Sequence, residues 1–241
     1  EIGSGLVGSE MCIRDSYQYD DGTVMCMFGF RSCIQAGIQL SDLLYSGRLR
    51  YVGRKIETLL GKFEAIKGAA FNDEVRSFLA KIPIMRVWEH DVTIKSGGYF
   101  AADKDYGDID VMAYDTSRDI LYLIECKNTN PAKNIKEMKT EMDEYLGRGD
   151  NPERDKKRAL VLKHLRRHRW VTEHINEVAK HIGVAVTPRV KSMMLTATVI
   201  PTSYLKREKI PMSILNYPEL KIKGVNLLDS CKEPDLSVLD I

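Results

Sequence analysis

Two apolar runs joined by four polar residues constrain this chain more than any other feature. Gly107-Asp108-Ile109-Asp110-Val111-Met112-Ala113-Tyr114 and Ile120-Leu121-Tyr122-Leu123-Ile124-Glu125-Cys126-Lys127 have strand length, β-branched and aromatic side chains, and turn formers at their ends. The link Thr116-Ser117-Arg118-Asp119 is hairpin-sized, so the strands should lie antiparallel. Pairing Asp115 with Ile120 sets Met112 opposite Leu123, Asp110 opposite Glu125 and Asp108 opposite Lys127, all on one face. Carboxylates directly opposite have Cβ atoms only about 5 Å apart and repel each other. A divalent metal with hard oxygen ligands, together with the Lys127 ammonium, is the simplest cation to place there. The plain alternative is a structural ion pair, with Lys127 neutralising Glu125 and Asp108. Position favours the metal. Ile120 to Ile124 are apolar on both faces, as in a strand covered on both sides. Ionisable groups closing such a strand need a reason to be there.

The chain's 241 residues, 44% hydrophobic and 29% charged, suffice for one good core with an appendage. A formal net charge of +2 requires any basic binding surface to be local. Cys12, Cys26, Cys33, Cys126 and Cys231 are odd in number and lack metal-ligand spacing, which suits a reducing, cytoplasmic compartment. No apolar run approaches the roughly 18 residues of a membrane span, so no membrane partner is expected.

Residues 1–16, from Gly3-Ser4-Gly5 to Arg14-Asp15-Ser16, resemble a translated sequencing adapter or a disordered leader, and are set aside. Residues 17–68 read as a mainly helical extension. Asp20-Asp21-Gly22 is a turn signal, and Thr23 to Phe30 fits a strand or a buried helical turn. From Gly47, the residues Val52, Ile56, Leu59, Leu60, Phe63 and Ile66 follow a helical period that should end at Lys67-Gly68. A second helix should start near Asn72, a good cap, with Val75, Phe78 and Leu79 inside. Glu74 lies in its first turn, where an acidic residue also simply complements the helix dipole.

Ile84 to Ile94 reads as a strand. Asn130-Pro131 should open a helix whose inner face is Ile135, Met138, Met142, Tyr145 and Leu146, with Gly147 as its stop. Next comes a basic block containing Arg154, Lys156, Lys157, Arg158, Lys163, Arg166, Arg167 and Arg169, the best candidate for gripping a polyanion. His164 and His168, one turn apart with no acidic third ligand, read as a solvated pair rather than a metal site. Trp170 reads as core, and Val171, Ile175, Val178 and Ile182 carry one helix on to Gly183. Val190 to Ile200 should be a strand, Ile210–Leu215 and Leu220–Val225 short edge elements, and 235–241 a loose tail. Gly-rich phosphate loops, a nucleophile elbow and a zinc-type His-Glu helix are absent from the sequence.

Taken together, the order and the residues resemble the PD-(D/E)xK nuclease superfamily, the restriction-endonuclease-like fold. Gly107-Asp108-Ile109-Asp110-Val111 is similar to that family's second motif and Ile124-Glu125-Cys126-Lys127-Asn128 to its third. The resemblance covers about residues 69 to 200. It implies an α/β core in αβββαβ order, a central mixed sheet flanked by helices, within a nuclease-like domain spanning 69–241.

It also implies the site. Asp110, Glu125 and the main-chain carbonyl of Cys126 would hold Mg2+, for which Mn2+ can substitute, with Glu74 a further candidate ligand. Lys127 would orient or deprotonate the attacking water. Asp73 is the lesser alternative to Glu74, and Asp108 stands where many members have Glu. Some exonuclease-type members carry a glutamine four residues before a tyrosine; here Glu141 precedes Tyr145, so that subtype is not assigned. The implied activity is metal-dependent phosphodiester hydrolysis, as a DNA endonuclease of restriction or repair type. The alternative is a nuclease-fold module that binds nucleic acid without cutting. The implied partner is nucleic acid, double-stranded DNA first. A homodimer or a missing partner domain would fit the need to cut two strands.

Overall fold

In the computed structural model, residues 15–18, 20–27, 29–45, 53–132, 134–147, 159–205 and 210–240 are described. Lys156, Lys157 and Arg158 lie outside them, as do Arg154 and most of the leader. The chain divides into two compact units, Glu1–Glu64 and Ala65–Ile241.

In the first unit, β1 (Asp15–Gln18) and β2 (Val24–Met27) pair antiparallel. Their turn uses Gly22 at φ 84°, and the Asp21 carboxylate accepts the Thr23 N–H at 2.8 Å. A helix, α1 (Phe30–Tyr45), follows.

The helix α2 runs unbroken from Arg54 to Leu79 and carries the chain into the second unit. Gly68 does not end it, and Asn72 is an interior residue rather than a cap. A glycine inside a helix costs only about 1 kcal/mol, which the burial of Phe71, Val75 and Leu79 outweighs.

The second unit is built on a five-stranded sheet in the order β3-β6-β7-β8-β9. Its strands are β3 (Met85–Val87), β6 (Val111–Asp115), β7 (Ile120–Lys127), β8 (Arg189–Thr196) and β9 (Ser213–Asn216). The first two pairings are antiparallel and the last two parallel. This is a mixed α/β architecture with a central mixed sheet flanked by helices. The β6–β7 hairpin has the expected register, Asp115 facing Ile120 and Met112 facing Leu123. That ladder ends at Val111 and Ile124, however. Beyond the bend at Asp110 the chain leaves the sheet, and β5 (Gly107–Ile109) pairs with β4 (Val92–Ile94) in a separate ribbon. Asp108 therefore faces Thr93, not Lys127. For the same reason Ile84 to Ile94 is two short strands in two sheets.

Both faces of β7 are covered, which explains its unbroken apolar run. Ile120, Tyr122, Ile124 and Cys126 pack with Phe71, Val75 and Leu79 of α2. Leu121 and Leu123 pack with Trp170, Val171, Val178 and Ile182. Those four lie on α4 (Leu160–Glu173) and α5 (Ile175–Ile182), divided at His174 and stopped by Gly183 at φ 71°. Before them, α3 (Ile135–Leu146) begins later than expected. Its cap is Asn134, whose side chain accepts the Glu137 N–H, and Gly147 ends it at φ 68°. After β8 come α6 (Thr202–Leu205), α7 (Tyr217–Lys223) and α8 (Val225–Asp229). Leu220 to Lys223 is thus helical, capped by Asn216, rather than an edge element. The tail is docked: Asp240 pairs with Arg169, and Leu236 and Val238 pack against a third apolar cluster. No helix among the described residues is long and apolar enough to cross a membrane.

Candidate active site

Strand alternation sends Cys126 into the cluster under α2 and points Glu125 toward α4. Asp110 reaches the same place from the bend, where its Oδ2 accepts the Cys126 N–H at 2.8 Å. The Lys127 Nζ lies 2.8 Å from Glu125 Oε1. Asp110, Cys126 and Lys127 line a cleft of about 550 Å³, together with Asn72, Arg76 and Asp91. The structure thus brings three of the four expected catalytic residues together at the end of the central strand.

Glu74 is not among them. Its side chain is 55% exposed and faces Lys221, 3.5 Å away, across a different depression beside Tyr217. Helix geometry explains this: Phe71 and Val75 fix α2 against the sheet, and Asn72 and Arg76 then fall on the cleft side. Where an acidic residue was expected, the helix offers Arg76. Its guanidinium donates to Asp73 at 2.7 Å, to Asp91 and to the main-chain carbonyl of Asp110.

A buried charge cluster backs the site. Glu125 is 5% exposed. Its Oε2 accepts from Arg167 Nη1 and lies 3.6 Å from Nδ1 of His164. The His164 Nε2 donates to the Leu123 carbonyl at 3.1 Å. His168, one turn on, meets the Ser192 hydroxyl at 2.8 Å. Both histidines are buried, not a solvated pair. The signal was present: Val161, His164, Leu165, His168 and Val171 share one helical stripe. Arg167, read in the sequence as part of a phosphate-gripping block, points inward at 8% exposure. Arg169 is spent on Asp240 and the Leu236 carbonyl, Arg166 is half-buried, and Lys163 is exposed.

The electrostatics set the two carboxyls apart. Burial, and then the negative charge of Glu125, push Asp110 up to about 6, against the pull of Lys127 and the Cys126 amide. Burial would raise Glu125 as well, but the facing His164 ring, Lys127 and Arg167 outweigh it and hold that carboxyl well below the usual range. Lys127 loses by burial but gains more from Glu125 and Asp110, so its ammonium is reinforced.

A magnesium ion here would draw on two carboxylates, Asp110 and Glu125. Asp110 is expensive to ionise without a neighbouring cation, and among the described residues its Oδ1 receives no hydrogen bond. Among those residues no three His, Cys, Asp or Glu side chains gather as a complete ligand set. Two carboxylates are what magnesium commonly takes, since it keeps several of its waters.

A family model described as "Anti-phage protein Upx-like" matches residues 38–213, more than half of the chain. Neither the curated proteins nor the solved structures contain a match.

Proposed function

The chain belongs to the Upx-like family of anti-phage proteins, and from that premise we propose that it is a metal-dependent nuclease acting on invading DNA. The observation that carries the reading is the meeting of Asp110 and Lys127, which line an open cleft, with the buried Glu125 carboxylate behind them. Its support from the sequence is the likeness of the two motifs, and of the helix and strand order around them, to restriction-type endonucleases. A family role in phage defence favours restriction over repair.

Held by Asp110, Glu125 and the Cys126 carbonyl, magnesium would supply charge stabilisation at the phosphate and a more acidic water. The chain's own residues do the rest. The Lys127 ammonium, tied to Glu125 at 2.8 Å, is placed to hold a water and to steady charge on a phosphate oxygen. Arg76 fixes the bend through the Asp110 carbonyl and so fixes where the Asp110 carboxylate points. Lys163, exposed on α4, offers a backbone contact that positions without reading sequence.

One observation favours a second reading, a binding module without cleavage. Both oxygens of Glu125 already have cationic partners in the protein. Incubating supercoiled plasmid with the protein in magnesium decides between them. The nuclease reading expects nicked and linear products, abolished by EDTA and reduced about 10²-fold or more in Lys127→Ala and Glu125→Ala. Plasmid retarded in a gel but left uncut by the wild type would establish the binding module instead.

A further inference from the structure

Arg167 has a position that a phosphate-binding arginine would not take. Its Nη1 donates to Glu125 Oε2, and its Nε donates to the Tyr106 carbonyl at 3.1 Å. Its guanidinium also lies against Gly107, where an added Cβ would come within 3.1 Å of Nη2. Gly107 itself sits at φ 86°, so this residue both turns the chain and leaves room for the arginine. Arg167 is therefore anchored independently of Glu125 and joins the segment entering Asp110 to the end of β7.

The charges around it are balanced. Asp110 and Glu125 carry two formal negative charges, and Lys127 and Arg167 carry two positive ones. Arginine does not deprotonate in proteins, so its charge is permanent. A divalent ion added to this group would meet a cation at either oxygen of Glu125, Lys127 at Oε1 and Arg167 at Oε2.

We propose that Arg167 is a resident counter-ion that occupies Glu125 in the free protein and must be displaced for a divalent metal to bind. It is a positioning residue, acting on the reaction only through Glu125. The inference rests on the two-carboxylate metal site proposed above. In its terms, the metal affinity of the free protein is low because the protein supplies its own substitute.

The test is titration of Mn2+ alone into the full chain, with free ion read by electron paramagnetic resonance. Arg167→Met should bind Mn2+ about tenfold more tightly than the wild type, the scale on which neighbours of metal ligands act. Arg167→Lys, which keeps the charge, should stay close to the wild type, and adding Glu125→Gln to Arg167→Met should remove the gain. A folded Arg167→Met with unchanged or weaker affinity overturns the proposal. Because that variant leaves a buried carboxylate short of a partner and can fail to fold, a second measurement uses the wild type. The arginine Nε–H resonance missing from Arg167→Lys should move as Mg2+ saturates the site. A resonance that stays fixed through saturation overturns the proposal. Plasmid cleavage with unchanged Arg167→Met affinity refutes the counter-ion alone, whereas no Mn2+ binding by any variant refutes the metal site beneath it.

Discussion

Residue by residue, the site is a contest between burial and compensation. His168 shows it in simple form. Burial, with a smaller contribution from His164, lowers its pKa from 6.5 to about 4, so it is neutral where it meets Ser192. A histidine held neutral in the fold but free to protonate when unfolded makes the unfolded state bind more protons between those values. Stability is then fully present above pH ~6.5 and lost as pH falls toward ~4. Between pH 7 and pH 4.5 the wild type should lose about 2–3 kcal/mol more than His168→Gln in urea unfolding, which isolates this one group. Equal losses would show that the ring is protonated or hydrated in the fold. A second expectation concerns Glu74. Because it faces Lys221 rather than Asp110, Glu74→Gln should keep cleavage within about threefold of wild type, while Asp110→Asn should lose about 10²-fold or more. Glu125 and Lys127 were legible in the sequence because they close one strand whose alternation sets them on the same face, whereas Asp110 joins them from the bend just beyond the β6 ladder. Arg167 was not legible. Its partner lies 42 positions away, and in a run of basic residues only the tertiary fold decides which one turns inward.

Helices and strands repeat the same division. The β6–β7 register followed from turn length and pattern, both local properties. The end of β5 did not, because at Asp110 the chain exchanges one sheet partner for another, a competition no window of residues reveals. Gly68 misled in the other direction. Read locally it is a helix stop, yet α2 passes through it because the stripe Phe71, Val75 and Leu79 has a sheet to cover. A Cβ built at Gly68 meets nothing within 4 Å among the described residues. Gly68→Ala should therefore raise stability by about 0.5–1 kcal/mol and increase the melting temperature. A fall in melting temperature would mean that the helix is interrupted there in solution. At the next helix, Asn130-Pro131 reads as the opening cap and proline, yet the cap that forms is Asn134, whose side chain accepts the Glu137 N–H at 2.9 Å.

For the whole molecule, metal binding and folding are linked by mass action. An ion that binds only the folded site adds about 1.4 kcal/mol at ten times its dissociation constant. For a chain of this size that is a rise of a few degrees in melting temperature. Mg2+ should produce such a rise in the wild type only at high concentration, Arg167→Met should reach it at about tenfold less ion, and Asp110→Asn should show none. Differential scanning fluorimetry with and without EDTA reads all three. The formal charge of +2 adds little long-range attraction for DNA. The fold class was legible at this scale, since both the two-sided burial of β7 and its helical cover are written in runs of apolar residues. The tail was not, because Arg169 pairing with Asp240 spans 71 positions.

The amide of Cys126 has a consequence for how such a protein can change under pressure from its targets. Asp110 is clamped by a group that every amino acid but proline possesses. Mutation at codon 126 can therefore try alanine, serine or valine against the apolar cluster without ever deleting that clamp. In a lineage driven to vary quickly, this corner of the machinery is insured by the peptide link itself, and only a proline there would cancel the policy.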